Sequence, residues 1–262
     1  MDILHSSEAS EAQNKKLSHR IMRTLVQVGR RSRRHLDRFF AHQSEVGNPS
    51  LFDQSTFGWS HILQDHWRDI EAEMQHVLHH QQAIPPLVKI SPDHQGIAAD
   101  GKWRSYFIWA YGVKLQQNAV RCPRTTTIVE QIPGLTTAMF SILEPRAHIK
   151  SHTGVTKAIV IGHLGLKIPK DQARCRMWLD GQTLNWEEGK VIVFDDTYQH
   201  EVWNDTDEER VVLLIHVRRP MRFWGHIIGG LFLAAIRISP FITDAKNELG
   251  KWEKRFRASE KI

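Results

Sequence analysis

The chain has 262 residues, 41% of them hydrophobic and 24% charged, an ordinary globular composition that excludes a disordered chain and is long enough for one large core. Its two cysteines, Cys122 and Cys175, exclude a disulfide framework or a cysteine-based zinc module and fit a reducing, cytoplasmic compartment. A net charge of +6 points towards anionic partners, and sixteen histidines raise the question of a metal.

In chain order, Met1 to Lys16 is polar and lacks the apolar stretch of a secretory signal. Lys15 to Phe40 has helical spacing, with Leu17, Ile21, Leu25 and Val28 on one face and Leu36, Phe39 and Phe40 resuming the stripe. Its polar face carries Lys15, Lys16, Arg20, Arg23, Arg30, Arg31, Arg33, Arg34 and Arg38. That face suits an anionic membrane surface, or a solvated basic surface on a helix packed against the domain. No nucleic-acid-binding motif accompanies the charge, so no nucleic-acid partner is expected. Asn48-Pro49-Ser50 reads as a linker, setting residues 1–50 apart from a main domain over 51–220.

Phe57 to His80 predicts a helix with Ile62, Trp67, Ile70 and Met74 on its buried stripe. Gln82 to Gly101, rich in Pro, Asp and Gly, predicts a surface loop. Trp103 to Tyr111 alternates as a half-buried strand, and Thr125 to Ile132 predicts a short helix ended by Pro133-Gly134. From Thr136 the pattern turns to short apolar runs: Thr137–Leu143, Ala158–Ile161, Leu164–Ile168, Arg174–Trp178, Lys190–Phe194 and Val211–Val217. Turn residues, Gly162 among them, separate the runs, which predicts a mainly β protein with flanking helices and a jelly-roll core. The remainder, 221–262, is an apolar then basic helical tail: Phe223 to Ile236 has no charged residue, and Lys246, Lys251, Lys254, Arg255 and Arg257 follow. Fourteen helical residues span about 21 Å against a hydrocarbon core of about 30 Å, so this stretch fits the membrane interface or an ordinary core helix rather than a span.

Two segments carry the chemistry: His148-Ile-Lys-Ser-His152-Thr-Gly154 and Phe194-Asp-Asp196-Thr-Tyr-Gln-His200-Glu-Val-Trp203. Non-haem iron needs imidazoles from facing strands and open positions for substrate and O2, and His152 and His200, several strand signals apart, suit that arrangement. Taken alone, two strand histidines are more often structural than ligating.

The longer blocks SILEPRAHIKSHTGVTKAIVIGHLGLKIP and WEEGKVIVFDDTYQHEVWN, followed by Arg210 in ERVVLLI, resemble the aspartyl/asparaginyl β-hydroxylase family over about Phe52 to Pro220. WRSYFIWAYG and RCPRTTTIVEQIPG resemble its bacterial branch, which hydroxylates acyl chains of lipid A and related membrane lipids. The resemblance implies a double-stranded β-helix (a cupin-like jelly roll) and a dioxygenase using Fe(II), with 2-oxoglutarate and O2 as co-substrates. It makes His152 and His200 the metal ligands, and places Ser141 and Arg210 where the family grips the distal carboxylate of 2-oxoglutarate. His163 falls at the family histidine near the metal-proximal carboxylate. Arg supplies paired donors for such a carboxylate, although an Arg beside Asp207, Glu208 and Glu209 also reads as a surface residue.

Two departures sharpen the reading. Where most 2-oxoglutarate oxygenases place a carboxylate two residues after the first histidine, this chain has Gly154, which leaves iron with two protein ligands and water. Asp196 then reads as a residue that orients the water, or as a plain turn residue at the strand end. Peptide-acting members carry arginines two and four residues before the histidine of HLGL, where this chain has Ile161 and Ile159. An acidic target there would lie unpaired, at a cost of several kcal/mol, whereas an acyl chain gains about 0.8 kcal/mol per buried methylene. The expected substrate is therefore a lipid acyl chain, and the enzyme is expected on the cytoplasmic face of the inner membrane. Peptidyl aspartyl or asparaginyl hydroxylation, favoured by Gly154, and a non-catalytic binding module are the rival readings.

Overall fold

The computed structural model describes residues 33–260. Most of the basic helix expected over Lys15–Phe40 lies outside those residues; its last turns form helix α1 (33–43). Strand β1 (Leu51–Phe52) is followed by α2 (Gly58–Asp65), α3 (Trp67–Leu78), α4 (Leu87–Ile90), β2 (Trp103–Ala110), β3 (Val113–Lys114), α5 (Gln116–Arg121) and α6 (Pro123–Glu130). Eight strands come next: β4 (Leu135–Leu143), β5 (Ala147–His152), β6 (Ile159–Lys167), β7 (Cys175–Leu179), β8 (Gln182–Leu184), β9 (Val191–Phe194), β10 (His200–Asn204) and β11 (Arg210–Arg218). Helices α7 (Phe223–Arg237) and α8 (Pro240–Ser259) close the described chain.

The strands pair into a large sheet, β1-β9-β6-β11-β4-β2-β3, and a small one, β5-β10-β7-β8. From β4 onwards the chain crosses between sheets at nearly every connection: β4, β6, β9 and β11 lie in the large sheet, and β5, β7, β8 and β10 in the small one. All named strand pairs from β4 onwards are antiparallel. This winding is a double-stranded β-helix, the jelly roll that the strand spacing predicts.

The two sheets differ in what covers them, and the sequence shows it. β11 reads RVVLLIHVR, apolar on both sides, because the large sheet is buried twice. Val211, Leu213 and Ile215 pack outwards on Leu63 of α2, Ile70 and Met74 of α3 and Ile128 and Val129 of α6. Val212 and Leu214 pack inwards on Met177, Leu179 and Val202 of the small sheet. β7, with one face in water, alternates cleanly, with Cys175, Met177 and Leu179 inside and Arg176 and Trp178 part-exposed.

Three elements depart from the sequence expectation. The helix expected over Phe57–His80 is broken at His66, which lets α2 bury Trp59 and Leu63 while α3 buries Ile70, Met74 and Val77. Gly162 does not separate two strands: β6 runs straight through it. A Cβ there would stand 2.9 Å from both Ile215 and the Trp59 ring, so glycine admits α2 onto the sheet. Gln82 to Gly101 is no simple surface loop, since Ile84, Leu87, Ile90 and Ala98 are buried and α4 caps the inner core. At the other end, α7 packs on α1 and Met221 through Phe232, Gly225 and Gly229. Among the described residues, no helix is long and apolar enough to cross a membrane.

Candidate active site

The β5–β10 ladder sets His152 directly opposite His200, with ring centroids 4.1 Å apart. Each ring is aimed by the backbone. His152 Nδ1–H donates to the Lys150 carbonyl at 2.8 Å, and His200 Nδ1–H to the Tyr198 carbonyl at 3.0 Å. A carbonyl only accepts, so both Nδ1 atoms hold the proton and both Nε2 lone pairs are free for a cation. Burial, reinforced by the neighbouring His200, pushes His152 down to about 4, and burial also lowers His200. Both rings are therefore neutral at pH 7 and ready to ligate.

Beside this pair the chain handles two adjacent carboxylates in opposite ways. Burial alone would raise Asp195, but the Arg219 guanidinium, the Lys157 ammonium at 2.7 Å and the Thr197 hydroxyl at 2.6 Å hold it below the ordinary 3.8. Asp196 is half-buried, yet its Oδ1 is shut off from water and has no hydrogen-bond partner among the described residues. Burial, then repulsion from Asp195, raises it to about 7. Its carboxylate occupies the space beside Gly154, where a Cβ would come within 2.0 Å of Cγ and Oδ2, and Gly154 N–H donates to the Asp196 carbonyl at 2.6 Å. Gly154 thus makes room for an acidic group: the carboxylate at this place comes from the β9–β10 connection, and a side chain at residue 154 would collide with it. Among the described residues, no group of three or more His, Cys, Asp or Glu is arranged to hold a metal ion. The donor set is two imidazoles; the Asp196 carboxylate lies against Gly154, two residues on from His152.

The inner face of the large sheet carries the other expected residues. Arg210 pairs with Leu143 in the ladder, two residues along β4 from Ser141. Its side chain is 1% exposed, lies over the Trp186 ring at 4.6 Å and reaches only the Ser141 carbonyl, at 3.4 Å. Among the described residues its Nε has no partner, and no carboxylate answers the charge. Burial lowers Arg210 to about 10, so the guanidinium stays charged at pH 7. A buried, unpaired guanidinium is among the costliest groups a core can hold, unless a ligand anion completes it. Ser141 Oγ accepts the Trp103 indole N–H at 3.0 Å, which leaves its own proton to donate. His163 Nδ1 accepts the Trp186 indole N–H at 3.3 Å, so its Nε2 carries the proton and can donate.

Trp186 therefore braces both Arg210 and His163, and Trp103 aims Ser141. His94 escaped the sequence reading. It lies in the segment expected to be a surface loop, bonds Ser91 Oγ at 2.9 Å, stands edge-on to Trp103 at 5.6 Å, and is close enough to influence His152 and His216. No local pattern marks it, because only the folding of α4 against the core brings it there. Ile159 and Ile161 are buried in the inner core with Phe107, Met139, Phe194 and Leu214.

A sequence-family model described as Aspartyl/Asparaginyl beta-hydroxylase matches residues 64–220, and the chain belongs to that family of hydroxylases. It is 37% identical over 215 residues to the ornithine lipid ester-linked acyl 2-hydroxylase of Rhizobium tropici, covering 82% of this chain and 76% of that protein. It is 34% identical over 134 residues to the human aspartyl/asparaginyl beta-hydroxylase, covering 49% of this chain and 17% of that much longer protein. Among solved structures, a Pseudomonas putida prolyl-4-hydroxylase aligns at a TM-score of 0.39 and 21% identity over 60% of this chain and 87% of that one.

Proposed function

We propose that this chain is an Fe(II)- and 2-oxoglutarate-dependent dioxygenase that hydroxylates an acyl chain of a membrane lipid. His152 and His200 would hold the metal through their Nε2 atoms, each ring fixed by its Nδ1–H bond to a backbone carbonyl. Arg210 would take the distal carboxylate of 2-oxoglutarate, with the Ser141 hydroxyl beside it and the His163 Nε2–H available to the other end of the molecule. The carboxylate of Asp196, which fills the place that Gly154 leaves without a side chain, would orient a water beside the two histidines through its free Oδ1. When bound, iron with 2-oxoglutarate and O2 supplies the oxidising power that converts C–H to C–OH, and 2-oxoglutarate leaves as succinate and CO2. The protein's share is to place one carbon beside that centre and keep water away from it. The neutral histidines, the aimed guanidinium and the apolar inner face all serve that end.

One observation carries the choice of substrate: Ile159 and Ile161 lie buried among Phe107, Met139 and Leu214, on the inner face of the strand that carries His163. A carboxylate-bearing side chain would meet no cation from these two positions, whereas each methylene of an acyl chain buried there gains about 0.8 kcal/mol. The Rhizobium tropici relative, matched along most of its length, is named for an ester-linked acyl chain, which supports the same reading.

The test is mass spectrometry of total lipids from cells expressing the protein or its His200→Ala variant. A lipid one oxygen heavier only with the intact protein is the expected result. Identical lipid extracts, with iron-dependent succinate formation retained by the intact protein, would reject the lipid substrate and favour a peptide. No succinate from the purified intact protein with iron and 2-oxoglutarate would reject the oxygenase itself.

A further inference from the structure

Among the described residues, helix α7 is covered on one side only. Gly225, Gly229 and Phe232 meet α1 and Met221, while Phe223, Trp224, Ile227, Leu231 and Ile238 project outwards, with Phe223 69%, Trp224 63% and Leu231 68% exposed. At 100° per residue these five positions fall within about a third of the helix circumference, so they form one continuous apolar stripe. A soluble surface rarely leaves such a stripe bare unless something docks on it.

The charge around the stripe narrows what that is. From Arg210 to Thr243 the chain has no acidic residue, and Arg222 and Arg237 bracket the helix. On the packed neighbour α1, Arg34 and Arg38 make no ion pair among the described residues, and with Lys157 and Asn48 they line a cleft of about 270 Å3. Asp37, the one acid in that cleft, is taken up by Arg33 and the Lys157 backbone N–H. An aromatic-rich apolar stripe on a helix that Arg222 and Arg237 bracket, beside a neighbour carrying the cations Arg34 and Arg38, matches an interfacial helix on an anionic bilayer, the headgroups meeting the cations and the acyl region the stripe. At 15 residues α7 reaches about 22 Å, too short to span, so it would lie in the plane of the interface.

The stripe is joined to the metal end of the β-helix. Leu233 packs both in the α1–α7 cluster and in the inner core with Ile159 and Ile161. Arg33 of α1 donates to the Gly154 carbonyl, and Asp37 accepts the Lys157 N–H, so α1 grips the loop that follows His152. We infer that the exposed face of α7, with the arginines of α1, docks the protein on an anionic lipid surface and so presents the histidine end to acyl chains. This inference names the partner surface of the site proposed above and rests on that reading for its purpose.

The test compares the full chain with the double variant Phe223→Gln/Leu231→Gln, both at exposed positions remote from the histidines. Co-sedimentation with phosphatidylglycerol-containing vesicles is expected for the wild type and reduced at least about tenfold in the variant, equivalent to about 1.4 kcal/mol of partitioning. Quenching of tryptophan emission by brominated lipid is expected to fall in Trp224→Phe. Thermal stability and iron-dependent conversion of 2-oxoglutarate to succinate without lipid should stay unchanged in these variants. Equal vesicle binding by wild type and double variant overturns docking through α7, even if lipid hydroxylation is confirmed. A wild-type dimer that the double variant abolishes overturns it in favour of a second copy of the chain. Vesicle binding that depends on the stripe, with no hydroxylated lipid formed, upholds the docking surface and rejects only the substrate reading.

Discussion

Arg210 opens strand β11 and Arg219 lies just past its end, and both guanidiniums are taken out of water, at 1% and 3% exposure. Arg219 is answered: it pairs with the buried Asp195 carboxylate and reaches the Gly47 carbonyl at 3.3 Å. Among the described residues, Arg210 meets an indole face, one long bond to a carbonyl and no carboxylate. Between them on the same strand, the half-buried residue His216 follows a third course: desolvation of its ring pushes it to about 4, so it sheds its charge at neutral pH. Arginine does not have that option, and even at about 10 Arg210 keeps its proton. The contrast separates structure from function. A charge that the fold satisfies holds the molecule together, and a charge that it leaves open awaits a ligand. Asp195 and Asp196, neighbours in sequence, divide in the same way.

Removing the answered charge should have the largest effect on stability. Arg219→Ala leaves Asp195 buried with Lys157 as its one remaining cationic partner, and urea unfolding should show a loss of about 3–5 kcal/mol. Arg210→Ala is the counterpart. It should change stability by less than about 1 kcal/mol while raising the 2-oxoglutarate requirement by about 30-fold or more, as expected when one partner of a buried ligand pair is lost. Saturating 2-oxoglutarate with a redox-silent divalent metal should raise the wild-type Tm and leave that of Arg210→Ala nearly unmoved. If Arg210→Ala unfolds as readily as Arg219→Ala, the comparison fails and Arg210 is structural.

A smaller effect is expected at the other unanswered charge. Gly154→Ala drives a Cβ into the Asp196 carboxylate, so turnover should fall by about tenfold while the denaturation midpoint moves less, because residues 153–155 belong to no core cluster. The smallest effect belongs to His216. Its folded value lies below the ordinary 6.5, so the unfolded chain takes up the proton first. The stability gained by keeping it neutral is complete above pH 6.5 and is lost as pH falls towards about 4. In urea midpoints measured across that window, His216→Gln should flatten part of the slope, and an unchanged slope would show that His216 titrates as a solvated group.

Much of this was legible along the chain. The strand runs from Thr137 onwards, the two histidine segments and the family blocks point to a jelly roll with His152 and His200 on facing strands, and β5 and β10 pair those two residues. The misreadings have a common cause. Gly162 looks like a turn because glycine breaks local pattern, whereas its small size is demanded by Trp59, about a hundred residues earlier. Gln82 to Gly101 reads as solvent-facing by composition, yet it buries four apolar side chains and brings His94 to the site. Trp103 and Trp186 are indistinguishable by sequence from other core indoles, and their N–H groups acquire a task only through Ser141 and His163.

By itself the sequence determined the order of strands, the apolar faces that drive two sheets together and the residue types that can hold a metal and an anion, since these depend on period and chemistry along the chain. Only the tertiary structure decided which like residues differ in role: Asp195 from Asp196, Arg219 from Arg210, and the bare side of α7 from its packed one. Those distinctions turn on which partner reaches a side chain across the fold, and desolvation makes each such meeting, or its absence, energetically large.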